Sequence, residues 1–338
     1  MIGYYVHHVG HGHLHRASAV ARALGERVTG LSSLPAPAGW PGPWIELDRA
    51  DEDGEDVGRT ARDRLHRVQL GQSGLRSRMA EIASWLRNVA PSVFIVDGSV
   101  EVAVLVRLHG IPVVTVAGPG ERGDAAHRPG FDVADAIVGC WPPEAAGMLR
   151  GVPPALLDRV HAVGALSRFP VADARTRRPG PRRVVVLSGT SSHALEREDL
   201  ELARQETPEW DWTVLDSELG SWVDAPYDVL LDADVVVTHA GQNALAEVAA
   251  SRTPAVVVPR PSPHRGQEVT AEALWHGGWP AVVIDAWPRQ GWAERLEHAH
   301  RLDGGDWASW CDGHAAERIA EVVGSVAPGT RLRRSTRV

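Results

Sequence analysis

The stretch Val235-Val-Val-Thr-His-Ala-Gly-Gln-Asn-Ala-Leu-Ala-Glu247 decides the fold class of this chain. A short β-branched run ends in a glycine turn, and a helical segment of small residues follows at once. Gly241 lets the backbone turn tightly and approach a ligand closely. The N–H groups at the start of the next helix favour an anion such as a diphosphate. The stretch therefore predicts a strand–turn–helix unit of a parallel α/β domain with a phosphate site at its turn.

Two side chains extend this predicted ligand site. His239 lies directly before the turn, where it can donate a hydrogen bond to a phosphate oxygen. Glu247 lies two turns along the helix, and a carboxylate can accept hydrogen bonds from two vicinal hydroxyls, as a ribose presents. A lone glutamate on a helix is usually a surface residue, so the prediction depends on the order and spacing of the whole run.

Short apolar runs alternate with helical stretches along the 338 residues, which is typical of parallel α/β sheets. In the first half we expect strands at 2–6, 28–31, 44–47, 92–96, 110–116 and 135–138, a glycine-histidine loop at 10–15 and helices at 17–24, 59–89 and 100–108. In the second half we expect strands at 184–187, 212–215, 235–238, 255–258 and 281–284, with a terminal helix at 307–323. The pattern predicts two doubly wound Rossmann-like domains that face each other across a cleft, with ligands at the carboxyl ends of the strands.

The pattern breaks between the two series. Residues 165–183 hold three prolines and seven Arg or Asp residues with little periodicity, as an interdomain linker does. We therefore expect one domain over 1–164, a linker over 165–183, a second domain over 184–325 and a basic, disordered tail over 326–338.

Composition restricts the function classes. The net charge of −8 argues against a nucleic-acid partner, and 43% hydrophobic with 23% charged residues indicates a soluble globular chain. Cys140 and Cys311 are too far apart for a disulfide framework or a metal site, which fits a reducing compartment. The sequence predicts no signal peptide and no membrane span, so we expect a cytoplasmic protein. Four arginines within residues 331–338 allow at most peripheral contact with a membrane face.

The run from Val235 to Glu247 resembles the His-x-Gly-x-Asn/Gly-Ser-x-x-Glu signature of GT-B glycosyltransferases. It is similar to the C-terminal domain of family 28 enzymes such as MurG, the peptidoglycan N-acetylglucosaminyltransferase, and to family 1 sugar transferases. The resemblance implies that the second domain binds a nucleotide sugar and the first an acceptor. It implies that Glu247 holds the ribose and that the diphosphate is held by His239, Gly241, Gln242, Asn243 and Ala244. Ala244 departs from the family, which usually has serine there.

Further donor contacts are carried over from the same resemblance. Ser188, Gly189, Thr190 and Ser191 resemble a Gly-Gly-Ser-type loop that closes on the diphosphate, and Trp222 and Val223 resemble the element that contacts the base. Gln267 matches a position that reaches the donor sugar. Gly266 stands where the family has an acid or amide, so Glu268 is a candidate substitute and the identity of the sugar stays open.

The first strand runs into a segment with five histidines between residues 7 and 15. A metal site is one interpretation, but no cysteine cluster or His-Glu-x-x-His helix accompanies them, and we expect neither a metal nor another cofactor. The segment resembles the Gly-x-Gly-His-x-x-Arg/Pro-x-x-Ala loop of the same superfamily at Gly10, Gly12, His13 and Arg16. Arg16 is expected either to contact a phosphate or acidic acceptor or to lie on the helix surface.

His13 is the candidate general base, because histidine ordinarily has a pKa of about 6.5 and can take a proton from an acceptor hydroxyl. The alternative is that His13 only shapes the loop or caps the helix. Asp97 ends an apolar run, and the resemblance implies that it orients the histidine and stabilises its charged form. The alternative for Asp97 is a turn residue at a strand end.

These features predict a metal-independent transferase that moves a sugar from a UDP- or dTDP-sugar to a hydroxyl of a small-molecule or lipid-linked acceptor. A nucleotide-sugar hydrolase of the same fold, with water as the acceptor, is one alternative. A non-catalytic subunit that binds nucleotide sugars is the other.

Overall fold

A computed structural model describes residues 1–9, 11–25, 28–49, 60–66, 68–173, 180–189, 196–216, 223 and 226–327. The candidate site residues Gly10, Thr190, Ser191 and Trp222 lie outside the described residues, as do 174–179 of the expected linker and the tail from 328. The chain divides into two compact units. The first unit holds Met1–Cys140, Leu149–Val163 and the residues from Ala316, and the second holds Trp141–Met148 and Gly164–Ala315.

The first unit is built on a parallel sheet. Its strands and helices are, in chain order, β1 (Ile2–Val6), α1 (His11–Leu24), β2 (Val28–Ser32), β3 (Trp44–Glu46), α2 (Ser73–Val89), β4 (Val93–Asp97), α3 (Val100–Leu108), β5 (Val113–Ala117), β6 (Gly120–Glu121), α4 (Arg128–Val133), β7 (Ala136–Gly139), β8 (Leu149–Arg150), α5 (Pro154–Leu157) and β9 (Val160–Ala162). Among the described residues the sheet has seven strands in the order β3-β2-β1-β4-β5-β7-β9. Strands β1, β4 and β5 are buried along their whole length, as expected for a parallel sheet with helices on both faces.

The second unit contains a second parallel sheet. Its elements are β10 (Arg182–Gly189), α6 (Arg197–Glu206), β11 (Trp210–Asp216), α7 (Tyr227–Asp232), β12 (Val235–Thr238), α8 (Gln242–Ala250), β13 (Ala255–Val257), a 3₁₀ helix (Pro263–Arg265), α9 (Gly266–His276), β14 (Ala281–Val283), α10 (Trp292–Arg301) and a 3₁₀ helix (Gly304–Ser309). The described strands follow the order β11-β10-β12-β13-β14. The valines of β10 and β12 pack with the tryptophans of β11 and with Trp292 of α10 in one apolar cluster.

The strand order of each sheet shows its switch point, which is the position where the order of the strands reverses. In the first sheet the order reverses between β1 and β4, and in the second between β10 and β12. Ligands of doubly wound sheets bind outside the carboxyl ends of the strands at such a point. Ligand sites are therefore expected where β1, β4, β10 and β12 end.

The expected partition and the observed units differ in three places. Trp141–Met148, expected in the first domain, belong to the second unit. Residues 165–173, expected in the linker, pack with the second unit, where the Ala172 N–H donates to the Ala250 carbonyl at 2.8 Å. Residues 316–325, assigned by the sequence to the second domain, group with the first unit. They begin α11 (Ala315–Val326), whose Ile319 and Val323 are buried and whose Arg318 donates to the Val163 carbonyl at 2.8 Å.

Three expected elements are clearly wrong in their bounds. The helix expected at 59–89 begins only at Ser73, since residues 60–66 and 68–72 are not helical. The glycine-histidine loop is mostly helical, since α1 begins at His11 and carries His13 in its first turn. The terminal helix expected at 307–323 is interrupted. The Asp312 side chain accepts a hydrogen bond from the His314 N–H at 2.9 Å, and this turn lies just before the start of α11. No helix among the described residues is long and apolar enough to cross a bilayer.

Candidate functional site

The first unit brings His13 and Asp97 together at its switch point. Asp97 is the last residue of β4, and Val6 at the end of β1 pairs with it in register. His13 lies in the first turn of α1, which follows β1. Nδ1 of the imidazole is 2.7 Å from Oδ1 of the carboxylate. Two residues that are 84 positions apart in the chain thus form an imidazole–carboxylate pair at the edge where ligands bind.

Arg16 completes this pair from the next turn of α1. Its Nε donates to Oδ2 of Asp97 at 2.8 Å, and its Nη2 donates to Oδ1 at 3.2 Å. Arg16 is 8% exposed, so the expectation that it lies on the helix surface is wrong. Burial opposes ionisation of Asp97, but Arg16 and His13 outweigh it, and the pKa of the carboxyl lies well below its usual range. Asp97 is therefore an anion throughout the ordinary pH range.

Gly98 permits the close approach of His13. The backbone of Gly98 has φ +90°, which favours glycine, and an added Cβ would lie 3.3 Å from Cε1 of His13 and 3.2 Å from Cβ of His7. The buried Tyr4 hydroxyl donates to Oδ2 of Asp97 at 3.5 Å. With Nδ1 directed at Asp97, Nε2 of His13 is the atom that can accept a proton. The side chain of His13 is 29% exposed, whereas that of Asp97 is 1% exposed, so the imidazole is accessible while the carboxylate is not.

A second imidazole–carboxylate pair follows β5 in the same unit, and the sequence did not predict it. His127 Nδ1 is 2.6 Å from Asp124 Oδ2, and Arg122 Nη1 is 2.7 Å from His127 Nε2. Burial lowers the pKa of His127 to about 4, and Arg122 adds to this while Asp124 opposes it. A neutral imidazole thus joins a cation to an anion. The arrangement orders the loop between β5 and α4.

In the second unit, the predicted strand–turn–helix unit at Gly241 is present. Gly241 precedes α8, and its N–H donates to Nδ1 of His239 at 3.0 Å. An added Cβ at Gly241 would meet Cε1 of His239 at 2.3 Å, so only glycine fits beside the ring. Burial, together with nearby Arg260, lowers the pKa of His239 to about 4, although a hydrogen bond to Gln267 opposes the shift. His239 is therefore neutral at pH 7.

Arg260 brings a positive charge to this turn that the sequence did not predict. It follows β13, and its guanidinium donates to the carbonyl of Ser188 at 3.1 Å and to the Ser188 hydroxyl at 2.5 Å. Its N–H donates to Oε1 of Gln267 at 3.1 Å. Ser188, His239 and Gln267, which the sequence placed in one donor site, thus share contacts. Val258 and Pro259 precede Arg260 in the sequence, but this local pattern does not indicate which group the arginine contacts.

Glu247 is 8% exposed and lies on the buried side of α8. Its Oε1 accepts a hydrogen bond from Nε of Arg168 at 2.8 Å. Burial raises the pKa of Glu247, and Arg168 opposes this. The predicted ribose carboxylate therefore has an internal cation as a partner. Sequence reasoning missed Arg168, since it lies in the segment expected to be a linker.

The other donor candidates surround these groups. Gln242 and Ala244 are partly exposed and Asn243 is exposed on the first turn of α8, and Gly189 ends β10. Glu268 accepts a hydrogen bond from the Ser262 hydroxyl at 2.9 Å near the start of α9. Val223 is 38% exposed, and Gly12 lies inside α1.

Part of the second unit is similar to a known family of domains. Residues 186–283 match the family model described as the glycosyltransferase family 28 C-terminal domain. An uncharacterized glycosyltransferase of Methanopyrus kandleri is 36% identical over 107 residues, which is 30% of this chain and 29% of that protein. The matched region thus spans less than a third of the relative.

Solved structures extend the likeness to the whole chain. The comparison with the glycosyltransferase of kitacinnamycin gives a TM-score of 0.68 at 18% identity and covers 97% of this chain and 99% of that protein. MurG of Acinetobacter baumannii has a TM-score of 0.62 at 15% identity, with 96% and 99% covered. The spinosyn rhamnosyltransferase SpnG, complexed with thymidine diphosphate, has a TM-score of 0.57 at 16% identity, with 99% of both chains covered. The predicted α/β class is confirmed: this chain shares the fold of these GT-B glycosyltransferases, and its residues 186–283 match the model of the family 28 C-terminal domain.

Proposed function

We propose that this protein is a glycosyltransferase that moves a sugar from a UDP- or dTDP-sugar to an acceptor hydroxyl. The observation that carries the proposal is the His13–Asp97 pair, held at the switch point of the first sheet in a chain whose residues 186–283 match the family 28 C-terminal domain. A buried carboxylate behind an accessible imidazole suits a general base, because the carboxylate orients the ring and stabilises its charged form.

The reaction follows from these groups. The acceptor oxygen attacks the anomeric carbon, Nε2 of His13 takes the hydroxyl proton, and the bond from that carbon to the diphosphate oxygen breaks. Asp97 stays ionised and stabilises the imidazolium, while Arg16 holds the carboxylate in place through two hydrogen bonds. General-base catalysis of this kind contributes about 10²–10⁴-fold in rate.

The leaving diphosphate needs positive charge. In the proposed donor site the N–H groups at the start of α8 and the guanidinium of Arg260 supply it, and such fixed dipoles and charges stabilise a developing anion. His239 is neutral, so it acts as a hydrogen-bond donor and not as a cation. Because these groups provide the electrostatic stabilisation, we extend the proposal to a reaction that needs no divalent metal.

The donor proposal is supported by the thymidine diphosphate complex of a protein with the same fold. Glu247 is the proposed ribose ligand, as the resemblance implies. The acceptor is proposed to be a small molecule or a lipid-linked sugar with a nucleophilic hydroxyl.

The test starts with UDP and dTDP binding to the full-length protein by calorimetry, followed by nucleoside diphosphate release from a panel of their sugars with and without candidate acceptors, in the presence of EDTA. His13→Ala is expected to lower acceptor-dependent release by about 100-fold or more and to leave nucleotide affinity within about twofold. His161→Ala, at an exposed position in β9, is the matched control and is expected to match the wild type.

Three results would contradict the proposal. If neither nucleoside diphosphate binds, the donor site is wrong. If free sugar is released without an acceptor at the full rate, the protein is a hydrolase. If His13→Ala retains full turnover, His13 is not the base.

A further inference from the structure

Arg122 is a partly buried cation of the first unit that the proposed reaction leaves without a role. Its Nη1 lies 2.7 Å from Nε2 of His127, and its Nε and Nη2 lie 3.4 Å and 3.3 Å from the Pro119 carbonyl oxygen. Among the described residues these acceptors are all neutral. A guanidinium has five N–H donors, so one N–H of Nη1 and one of Nη2 have no acceptor in the described part of the chain.

The carboxylate of Asp124 lies across the His127 ring from this cation. Its Oδ2 is 2.6 Å from Nδ1 of the ring, and its Oδ1 accepts the N–H groups of Ala126 at 2.9 Å and of His127 at 3.0 Å. The imidazole therefore separates the carboxylate from the guanidinium. Burial lowers the pKa of Arg122, and the charge of Asp124 opposes this. A carboxylate brought by a ligand can meet the remaining N–H groups directly.

The backbone of the loop is shaped around Arg122. An added Cβ at Gly118 would lie 3.1 Å from Nη2 of the arginine, and one at Gly123 would lie 1.9 Å from the Gly151 carbonyl oxygen. The Arg122 N–H donates to the Arg150 carbonyl at 2.9 Å, beside the pairing of β6 with β8. Because the chain is held on both sides of Arg122, a ligand has little backbone left to order when it binds.

This loop starts at the edge of the sheet that holds the His13–Asp97 pair. Strand β5 lies beside β4, and its Val116 pairs in register with Asp97. The loop begins two residues later, at Gly118. Ligands of doubly wound sheets bind at this edge.

Side-chain contacts also link the loop to the segment after Asp97. The His127 ring meets the His66 ring edge-on at 4.2 Å, and the His66 N–H donates to Oε1 of Glu101 at 2.8 Å. The Ser99 hydroxyl, two residues after Asp97, donates to Oε2 of Glu101 at 3.0 Å. The loop of Arg122 and the proposed base thus belong to one side of the first unit.

On the basis of the proposed function, we propose that Arg122 binds a carboxylate of the acceptor, so that the transferase acts on an acidic acceptor. The two remaining N–H groups donate charge-assisted hydrogen bonds to it. One guanidinium balances one negative charge, as a carboxylate carries. A phosphate monoester carries about two negative charges near pH 7 and calls for a second cation. Arg122 is thus a specificity-determining residue, while His13 remains the proposed base.

The first test needs neither a donor nor an acceptor. Acetate or inorganic phosphate is exchanged for chloride at constant ionic strength and pH 7, and proton–nitrogen correlation spectra follow the Arg122 Nε–H and the His127 backbone N–H. We expect acetate to shift both signals saturably, with a dissociation constant on the order of 10–100 mM. Arg122→Met is expected to abolish the shift of the His127 signal. Since the signals report on this loop alone, anions bound elsewhere do not interfere.

The second test uses acceptor pairs that differ only in a carboxylate and the matching carboxamide. We expect the acid to have the lower KM by about tenfold in the wild type. Arg122→Met should raise the KM of the acid by about 10- to 100-fold, and leave the KM of the amide and both kcat values within about threefold. Arg122→Lys keeps the charge without the planar donors and should lie between the two. Arg107→Met, which removes an exposed arginine paired with Asp135 at 3.0 Å, should match the wild type.

The outcomes separate this inference from the proposed function. The absence of a saturable acetate shift, or an equal shift in Arg122→Met, overturns the inference and leaves the transferase proposal intact. Phosphate binding that is tighter by about tenfold or more overturns the carboxylate assignment. An equal change of KM for the acid and the amide shows a structural role and overturns the inference as well. If acetate binds but UDP does not, the anion site stands, and the acceptor role fails with the proposed function. Should Arg122→Met fail to fold, the wild-type titration and Arg122→Lys decide.

Discussion

At the scale of single residues, the buried carboxylate of Asp97 joins three partners. It is 1% exposed and accepts hydrogen bonds from His13, from Arg16 and from Tyr4. A buried carboxylate anion without such partners would cost several kcal/mol. Together they keep the carboxylate ionised beneath the imidazole. The network proposed to support His13 as a base thus also compensates the buried charge of Asp97.

Asp97→Asn should separate these effects, since the amide has the same shape but no charge. We expect the free energy of unfolding to fall by about 3 kcal/mol, because the Arg16 cation is left buried without its anion. We also expect kcat to fall by about 100-fold or more, with UDP affinity unchanged. Urea unfolding, calorimetry and initial rates measure the three quantities. Asp132→Asn, which breaks only an exposed 3.6 Å pair with Arg128, should change stability by less than about 1 kcal/mol. Full activity in Asp97→Asn would make Asp97 a purely structural residue.

At the scale of elements, the turn between β12 and α8 carries the donor proposal. The strand places His239 at the carboxyl edge of the sheet, and the helix start directs its N–H groups at the same place. Gly241 joins them with φ −74°, a value open to any residue. Glycine is needed at this position because the ring of His239 leaves no room for a Cβ, and not because of the backbone angle.

Gly241→Ala is accordingly expected to displace the His239 ring, because the new methyl would lie 2.3 Å from Cε1 and 2.6 Å from Nδ1. We expect UDP affinity to fall by about tenfold, which is the effect of one lost hydrogen bond to a charged group. Calorimetry gives the affinity, and circular dichroism checks the fold. The control is Gly278→Ala in the same unit, where an added Cβ meets no atom within 4 Å. Equal UDP affinities for the two variants would show that the ring position does not matter for binding.

At the scale of the whole molecule, each unit holds a histidine whose pKa is about 4, His127 in the first and His239 in the second. Burial is the main cause in both. The unfolded chain titrates such residues near a pKa of about 6.5, so it takes up protons at a higher pH than the folded chain. The stability that comes from the neutral form is complete above that value. It is lost as the pH falls from about 6.5 to about 4.

We therefore expect both units to lose stability over this acidic window, by an amount on the order of 2 kcal/mol for each histidine. Urea unfolding monitored by circular dichroism and tryptophan fluorescence between pH 7.5 and 4.5 measures the loss. His127→Gln and His239→Gln should each flatten the pH dependence. A wild-type stability that stays constant from pH 6.5 to pH 4.5 would contradict the assigned shifts.

Local sequence pattern is sufficient for much of this fold. The bounds of β1, α3 and β12 are predicted to the residue, since a buried parallel strand or an apolar helix is recorded in consecutive side chains. The histidine segment after β1 is predicted as a loop, because glycine and histidine have no strong helical preference. Its helical form depends on packing with the sheet.

The sequence by itself determined the α/β class and the strand–turn–helix unit at Gly241, because each depends on neighbours in the chain, and its resemblance to known loops singled out His13 and Asp97 as candidates. Only the tertiary structure decided the partners of the arginines. Arg16 meets a carboxylate 81 residues away and Arg168 one 79 residues away. The reason is physical: the partner of a charged side chain depends on which strands lie side by side, and no local pattern encodes that order.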